Sequence, residues 1–253
     1  MKKTSIIITL IIAISSMFFI YDRFLYEEAN IFELMKSDPQ GAIKYIKRKK
    51  PVHQLNKHKE TLLAAACREE LHIDLVKALI DAGSDINATE QYFPPLINAA
   101  MDNEGDEIVK LLIQSKADLE IKSAENETAL QHAILNTKSS KPALALIEAG
   151  ANLNVSDELG YSVLMLAIKE ENTEVVERLL SKKVDVNYIN EKYNLTALNI
   201  ALCFGEPNID LIEILLKAGA NPEIGVCLGQ TIDKYLKFEK NESLNKLFRK
   251  YAE

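Results

Sequence analysis

The histidines and cysteines are the residues of this chain best suited to binding a metal ion or acting as nucleophiles. No two of them stand at H-x-x-x-H or C-x-x-C spacing, and G-x-S-x-G, Walker and G-x-G-x-x-G motifs are absent from the sequence. Paired carboxylates such as Glu69-Glu70 and Glu170-Glu171 fall where short helices should end, which is typical of a solvated face. We therefore predict no catalytic residues, no metal site and no cofactor, and we expect that the chain is not an enzyme.

Charge narrows the classes of partner. The formal net charge is −7, and the first 20 residues contribute +2, so the rest of the 253-residue chain carries −9. An acidic body repels phosphate backbones, and we predict no nucleic-acid partner. The exception is a basic run without an acid before Glu60, formed by Lys44, Lys47, Arg48, Lys49, Lys50, Lys57 and Lys59. A solvated helix face explains this run most simply; the alternatives are anionic lipid headgroups and an acidic partner.

The N-terminus has the pattern of a membrane anchor. Lys2 and Lys3 precede eighteen uncharged residues, 4–21, and a helix of that length spans roughly 27 Å, close to the ~30 Å of a hydrocarbon core. We predict an uncleaved signal anchor at 1–22 and a single pass through the inner membrane, with the C-terminal part in the periplasm. The alternative is a cleaved signal peptide and a secreted or periplasmic product. Cleavage near Ala13 and Ser15 would leave the apolar residues 17–21 at the new terminus.

An internal repeat dominates the remainder. A leucine followed three residues later by alanine recurs in steps of 33, 34, 34 and 34 residues, at Leu63/Ala66, Leu96/Ala99, Leu130/Ala133, Leu164/Ala167 and Leu198/Ala201. A turn residue stands two positions before each leucine, and Ala-Gly pairs such as Ala149-Gly150 end a second apolar segment. Leu-x-x-Ala places a large and a small side chain on one helical face, and the glycine suits a left-handed helix end. Each unit is thus predicted to be two helices and a hairpin, stacked into an all-α solenoid.

The segments Thr128-Ala129-Leu130-Gln131-His132-Ala133 and Glu148-Ala149-Gly150-Ala151-Asn152-Leu153-Asn154 resemble the ankyrin repeat, whose pattern is T-P-L-H-x-A-A followed by G-A-D/N-x-N. The resemblance implies five repeats within 57–223, at about 57–88, 89–121, 122–155, 156–187 and 188–223. Capping units are expected at 28–56 and 224–253, so that the predicted fold is an ankyrin-repeat solenoid with one N-terminal transmembrane helix. Lys116 and Lys182-Lys183 depart from the pattern, and we expect them to change the local turns but not the stack.

Cysteine usage leaves the redox compartment open. Three cysteines are not a disulfide framework, and Cys67 takes a small-residue position typical of a buried core. Cys203 and Cys227 fall on the same face of adjacent units, so that a disulfide between them is geometrically conceivable.

The resemblance also implies where a partner binds, because ankyrin proteins commonly use their hairpin tips and inner helices. Carried over to this sequence, the predicted contact residues are Gln91, Phe93, Met101, Glu125, Glu158, Leu159, Tyr161, Lys192, Tyr193 and Phe204. Apolar side chains framed by acids are typical of an interaction surface. Alternatively, some apolar members of this stripe, above all Leu135 and Leu195, pack between repeats.

We interpret the chain as a monomeric, membrane-anchored module that binds a protein partner on its concave face. By resemblance to ankyrin proteins in bacterial systems, one suitable role is a periplasmic immunity protein that neutralises a toxic effector. The alternatives are a secreted effector or scaffold that acts on host proteins, and a regulator of a periplasmic enzyme.

Overall fold

A computed structural model describes residues 31–49, 52–56, 58–69, 71–89, 93–102, 105–136, 139–204, 206–226, 232 and 241–251. Helices follow one another throughout these residues: α1 (Ile31–Ser37), α2 (Pro39–Lys49), α3 (Leu62–Arg68), α4 (Ile73–Asp81), α5 (Pro95–Asp102), α6 (Glu107–Gln114), α7 (Ala129–Leu135), α8 (Lys141–Ala149), α9 (Val163–Lys169), α10 (Thr173–Ser181), α11 (Ala197–Cys203), α12 (Ile209–Lys217) and α13 (Glu242–Lys250). Between the helix pairs, isolated β-bridges such as Lys122–Thr128 and Ser156–Ser162 close the bases of hairpins. The predicted all-α solenoid is confirmed.

In three repeats, the turn residue that precedes the Leu-x-x-Ala motif caps the first helix with its side chain. The Thr61 hydroxyl accepts a hydrogen bond from the Ala64 amide, and Ser162 and Thr196 do the same for the amides three residues ahead. These bonds satisfy donors that have no partner inside the helix and fix where the helix begins. Helices of only seven residues need such a definite start.

Left-handed residues end the second helices, as predicted, but two of them are lysines. Gly150 has a φ of 89°, while Lys116 and Lys183 have φ values of 68° and 60° at the corresponding position. The Lys116 amide donates to Ile113, as Gly150 donates to Ile147. Our expectation that the lysines change the local turn is therefore wrong. The surrounding hydrogen bonds hold an L-residue in a conformation that costs roughly 1–2 kcal/mol.

Packing joins the first helices into an inner layer and the second helices into an outer layer. Helices α3, α5, α7, α9 and α11 contact one another in sequence, and each contacts the outer helix that follows it. Leu63, Leu130, Leu164 and Leu198 are buried at the centre of this arrangement. One continuous core runs from Ile31 in α1 to Phe248 in α13, so that α1–α2 and α13 cover the two ends of the stack.

The loops after the second helices are linked from repeat to repeat. The amide of Asp118 donates to Asn87, that of Asn152 to Glu120, and that of Asn221 to Asn187, at 2.8–2.9 Å. Asn87, Glu120 and Asn187, each six positions after the end of a second helix, thus accept a bond from the next unit. This ladder fixes the register of the stack along its loop edge.

Within the described part of the chain, no helix combines the length and apolar character needed to cross a bilayer. The predicted anchor at 1–22, including the apolar residues 4–21, lies outside the described residues, as do most residues of the predicted C-terminal cap before α13.

Candidate partner-binding surface

The hairpins of repeats 156–187 and 188–223 bring Leu159, Tyr161 and Tyr193 together. The two tyrosine rings stack with their centroids 6.0 Å apart and an interplanar angle of 24°. The Asn190 side-chain amide donates to the Leu159 carbonyl at 2.9 Å, which locks one hairpin against the other. We call the surface formed by Leu159, Tyr161, Tyr193 and the neighbouring lysines, Lys169 and Lys192, the tyrosine patch.

Two ammonium groups frame the tyrosine patch. Lys169 Nζ lies 5.2 Å from the Tyr161 ring centroid, and Lys192 Nζ lies 5.7 Å from the Tyr193 centroid. Cations at this distance are attracted by an aromatic face. The patch therefore offers a partner apolar area together with positive charge.

The predicted contact residues of this surface differ in how much of each residue is exposed to solvent. Tyr193 is 43% exposed, Leu159 45% and Phe204, at the end of α11, 51%. Tyr161, in contrast, is 7% exposed, and burial raises the pKa of its hydroxyl. Tyr161 therefore supports Tyr193 from below. Truncation of Tyr161 is therefore expected to lower the stability of the stack as well as to alter the surface.

The remaining predicted contact residues are distributed along the stack. Phe93 is half-buried and meets the His132 ring edge-on, with centroids 5.4 Å apart, and Met101 is half-buried against the core. Glu125 and Glu158 are exposed, and Gln91 lies outside the described residues. Of the two stripe residues for which we also considered packing between repeats, Leu195 is buried and Leu135 is exposed.

An acidic cluster lies beside the tyrosine patch, at the hairpins of repeats 122–155 and 156–187. Burial raises the pKa of Glu127, and the carboxylates of Glu125, Asp157 and Glu158 raise it further. The proximity of these four acids follows from the stacking of neighbouring hairpins. Asp157 was not among the predicted contact residues, whereas Glu127 stands at a contact position that the ankyrin pattern implies.

His132 also lies in this region, and spacing did not single it out. It is 6% exposed, and burial lowers the pKa of its imidazole against the opposing attraction of Glu125. Its Nε2 lies 3.3 Å from Ser123 Oγ and 3.5 Å from a Glu127 carboxylate oxygen. The sequence did contain a signal for His132, because this residue stands at a core position of its helix where the other repeats have no titratable residue.

The described residues form a stack of helix pairs that exposes apolar side chains next to charged ones. This arrangement is that of a repeat-type binding protein. The family model of ankyrin repeats matches residues 62–157 and 138–225. The chain belongs to the ankyrin-repeat family, and such repeats form protein-interaction modules.

Individual relatives resemble parts of this chain. The ankyrin repeat and KH domain-containing protein mask-1 of Caenorhabditis elegans is 31% identical over 166 residues, which are 64% of this chain and 6% of that protein. An ankyrin-repeat protein of fowlpox virus is 29% identical over 204 residues, 78% of this chain and 57% of that protein. The chain thus spans less than two thirds of the length of these relatives.

A solved structure is similar over the whole of its own length. It is a chain from the complex of a predatory endopeptidase of Bdellovibrio bacteriovorus with an immunity protein. The match has a TM-score of 0.63 and 31% identity, and it covers 78% of this chain and the whole of that one.

Proposed function

We propose that this chain is an immunity-type binding protein that holds a peptidase on the tyrosine patch and the hairpin tips beside it. The observation that carries the proposal is the exposure of Leu159, Tyr193 and Phe204 on a rigid stack, next to a cluster of carboxylates. Large apolar side chains framed by charge have the anatomy of a binding hot spot. Because the hairpins are preformed and linked to one another, a partner would bind without first ordering them.

The likeness to a chain of the endopeptidase–immunity complex supports this choice of role over the alternatives. The match covers that chain completely at 31% identity, whereas the curated relatives are covered only in part. In this role the module acts by occupying its partner's surface, and it needs no catalytic residue of its own. We propose that it does so as a monomer, since one stack presents the whole surface.

We further propose that the module is tethered to the inner membrane by residues 4–21 and faces the periplasm. Their uncharged run supports the tether, and the disulfide bond of Cys203 supports an oxidising compartment. N-terminal sequencing of the chain from a membrane fraction should find Met1 and the residues after it intact. A mature N-terminus beyond the apolar segment would instead favour the secreted alternative.

Capture from a detergent extract of the source cells tests the function itself. The tagged full-length chain should retain an endopeptidase and inhibit its hydrolysis of peptide substrates. Tyr193→Ala combined with Phe204→Ala should reduce capture and inhibition by more than about a hundredfold, as expected for the loss of two hot-spot residues worth roughly 2 kcal/mol each.

Ile73→Ala is the matched control for this experiment. Ile73 is as exposed as Tyr193 but begins α4, in repeat 57–88, far along the stack from the tyrosine patch. Capture should survive this change. Equal loss in both variants, or full retention in the Tyr193/Phe204 variant, would place the partner elsewhere. A captured protein that shows no peptidase activity after it is released from the chain would contradict the immunity role.

A further inference from the structure

His132 occupies a register position that the fold reserves for core side chains. The equivalent residues of the other repeats, two positions after each Leu of Leu-x-x-Ala, are Ala65, Asn98, Leu166 and Ile200, all of them buried. A histidine at this position loses its hydration and gains less apolar contact than leucine or isoleucine would. A residue that breaks a local rule of its own repeat is a candidate for a function beyond packing.

The hydrogen bonds around His132 leave a lone pair on Nε2. Ser123 Oγ accepts the amides of Glu125 at 3.2 Å and Glu127 at 3.4 Å. These two amides occupy both lone pairs of the Ser123 hydroxyl oxygen. The hydroxyl therefore uses its hydrogen in the bond to His132 Nε2, which is 3.3 Å long. Nε2 is then an acceptor, and a neutral imidazole nitrogen with a lone pair is the form that binds transition metals.

Two carboxylates stand next to this nitrogen. A Glu127 oxygen is 3.5 Å from Nε2, and single ligand atoms of Glu125, Glu127 and His132 all lie within 4.8 Å of one another. Tetrahedral zinc with bonds of about 2.0–2.2 Å needs ligand atoms about 3.3–3.6 Å apart. The exposed Glu125 side chain can close the remaining difference by a rotamer change, and the Ser123 hydroxyl can turn to a carboxylate oxygen.

A comparison with repeat 57–88 shows that Glu127 lacks the cationic partner that the equivalent glutamate of that repeat has. Glu60 occupies the register of Glu127, and Arg68 Nε binds it at 2.9 Å. Although burial acts in the opposite direction, hydrogen bonds from Arg68 and Asn56 keep the pKa of Glu60 below its ordinary value. In repeat 122–155 the residue in the register of Arg68 is Leu135, and the described residues give Glu127 no lysine or arginine partner.

We propose that Glu125, Glu127 and His132 bind a zinc ion, with water completing its coordination. Carboxylates alone would favour magnesium or calcium, and the imidazole shifts the preference to zinc. The spacing E-x-E-x-x-x-x-H spans a hairpin and the helix after it. It is therefore absent from the ligand spacings on which we based the expectation of no metal site. The ion would tie the hairpin tip to the inner helix, and this role is independent of which partner the chain holds.

Zinc titration of the full-length chain tests this site. The tag-free protein, purified in detergent and stripped with a chelator, competes for Zn²⁺ with a chromogenic indicator. We expect one ion per chain, and His132→Gln and Glu125→Gln should each weaken binding by more than about tenfold. Glu125 is exposed, so its variant keeps the fold even if His132→Gln lowers the melting temperature.

His72→Gln is the control variant, because His72 is exposed at the start of α4 and outside the cluster. It should bind zinc like the wild type. Unchanged affinity in both cluster variants would overturn the proposal, as would calcium or magnesium binding as tight as zinc and insensitive to His132→Gln. If the wild type binds no zinc but Glu127→Gln weakens partner capture, the carboxylates serve the partner interface and the zinc proposal fails.

Discussion

Tyr161 and Tyr193 stack on each other, yet their side chains serve different purposes. Tyr161 is 7% exposed and contributes to the core, while Tyr193 is 43% exposed and covers it. The two tyrosines stand at different registers of the repeat, because Tyr161 is one residue before the capping Ser162 and Tyr193 is three before Thr196. The register next to the cap is therefore structural in both units, and the register two residues earlier is available to a partner.

Alanine substitutions should separate these two roles. Tyr161→Ala removes a buried ring, so that the free energy of unfolding should fall by roughly 2–4 kcal/mol. Tyr193→Ala should change it by less than about 1 kcal/mol, since most of its ring faces water. Urea denaturation followed by circular dichroism measures both. Equal losses in the two variants would show that the stacked pair is a single structural element.

The left-handed lysines allow a second prediction at this scale. Lys116→Gly should raise the free energy of unfolding by about 0.5–1 kcal/mol, because glycine relieves the strain of φ = 68° but adds freedom to the unfolded chain. The matched control is Lys110→Gly in the helical interior of α6, which should destabilise by about 1 kcal/mol. Destabilisation by Lys116→Gly would mean that the side chain contributes more than its backbone strain costs.

At the scale of the element, Leu-x-x-Ala, the capping residue and the second-helix glycine were sufficient to predict the helix pairs, because they express local constraints that each repeat meets by itself. Contacts between repeats were harder to predict. The burial of Tyr161 depends on the next hairpin, and the proximity of Glu127 to His132 depends on how a five-residue loop folds over its helix. The conformation of Lys116 was equally hard to predict, since hydrogen bonds of the neighbouring turn overrode the preference of a lysine for a negative φ.

Helix α13 docks on α12 through charged side chains as well as apolar ones. Lys250 Nζ and Tyr251 Oη contact the same oxygen of Glu213, at 2.9 Å and 3.1 Å. Hydrogen bonds from Lys250, Tyr251 and Lys217 lower the pKa of Glu213 from 4.5 to about 2. A depressed carboxylate pKa means that this contact stabilises the docked helix above pH 4.5 and loses its effect as the pH falls towards 2.

Hydrogen exchange can follow this dependence directly. Protection of the α13 amides should decline between pH 4.5 and 2, relative to α9, and Glu213→Gln should weaken protection at neutral pH and flatten the decline. Glu177→Gln, at an exposed position of α10, should leave the profile unchanged. An identical pH profile in the Glu213 variant would show that apolar contacts of Leu244, Leu247 and Phe248 hold the helix alone.

At the scale of the whole molecule, the two described cysteines report on different properties. Cys67 is completely buried, which raises the pKa of its thiol, whereas Cys203 is disulfide-bonded. Since Cys67 lies in the inner layer, it becomes accessible only when the stack opens.

Thiol labelling with peptide mapping should therefore distinguish three states. The native chain should show no labelling of Cys67 or Cys203; denaturant should expose Cys67, and Cys203 should react only after a reductant is added. Labelling of Cys203 in unreduced protein isolated from cells would contradict the disulfide, and with it the support for an oxidising compartment.

The bonds between Asn87 and Asp118, Glu120 and Asn152, and Asn187 and Asn221 each join one unit only to its neighbour. Recombination between the tandem coding segments can therefore add or remove a complete unit and leave every remaining bond in register, whereas a shorter deletion would break both the ladder and the core. A gene built in this way can lengthen or shorten the binding surface of its product to suit a larger or smaller target without a change of fold.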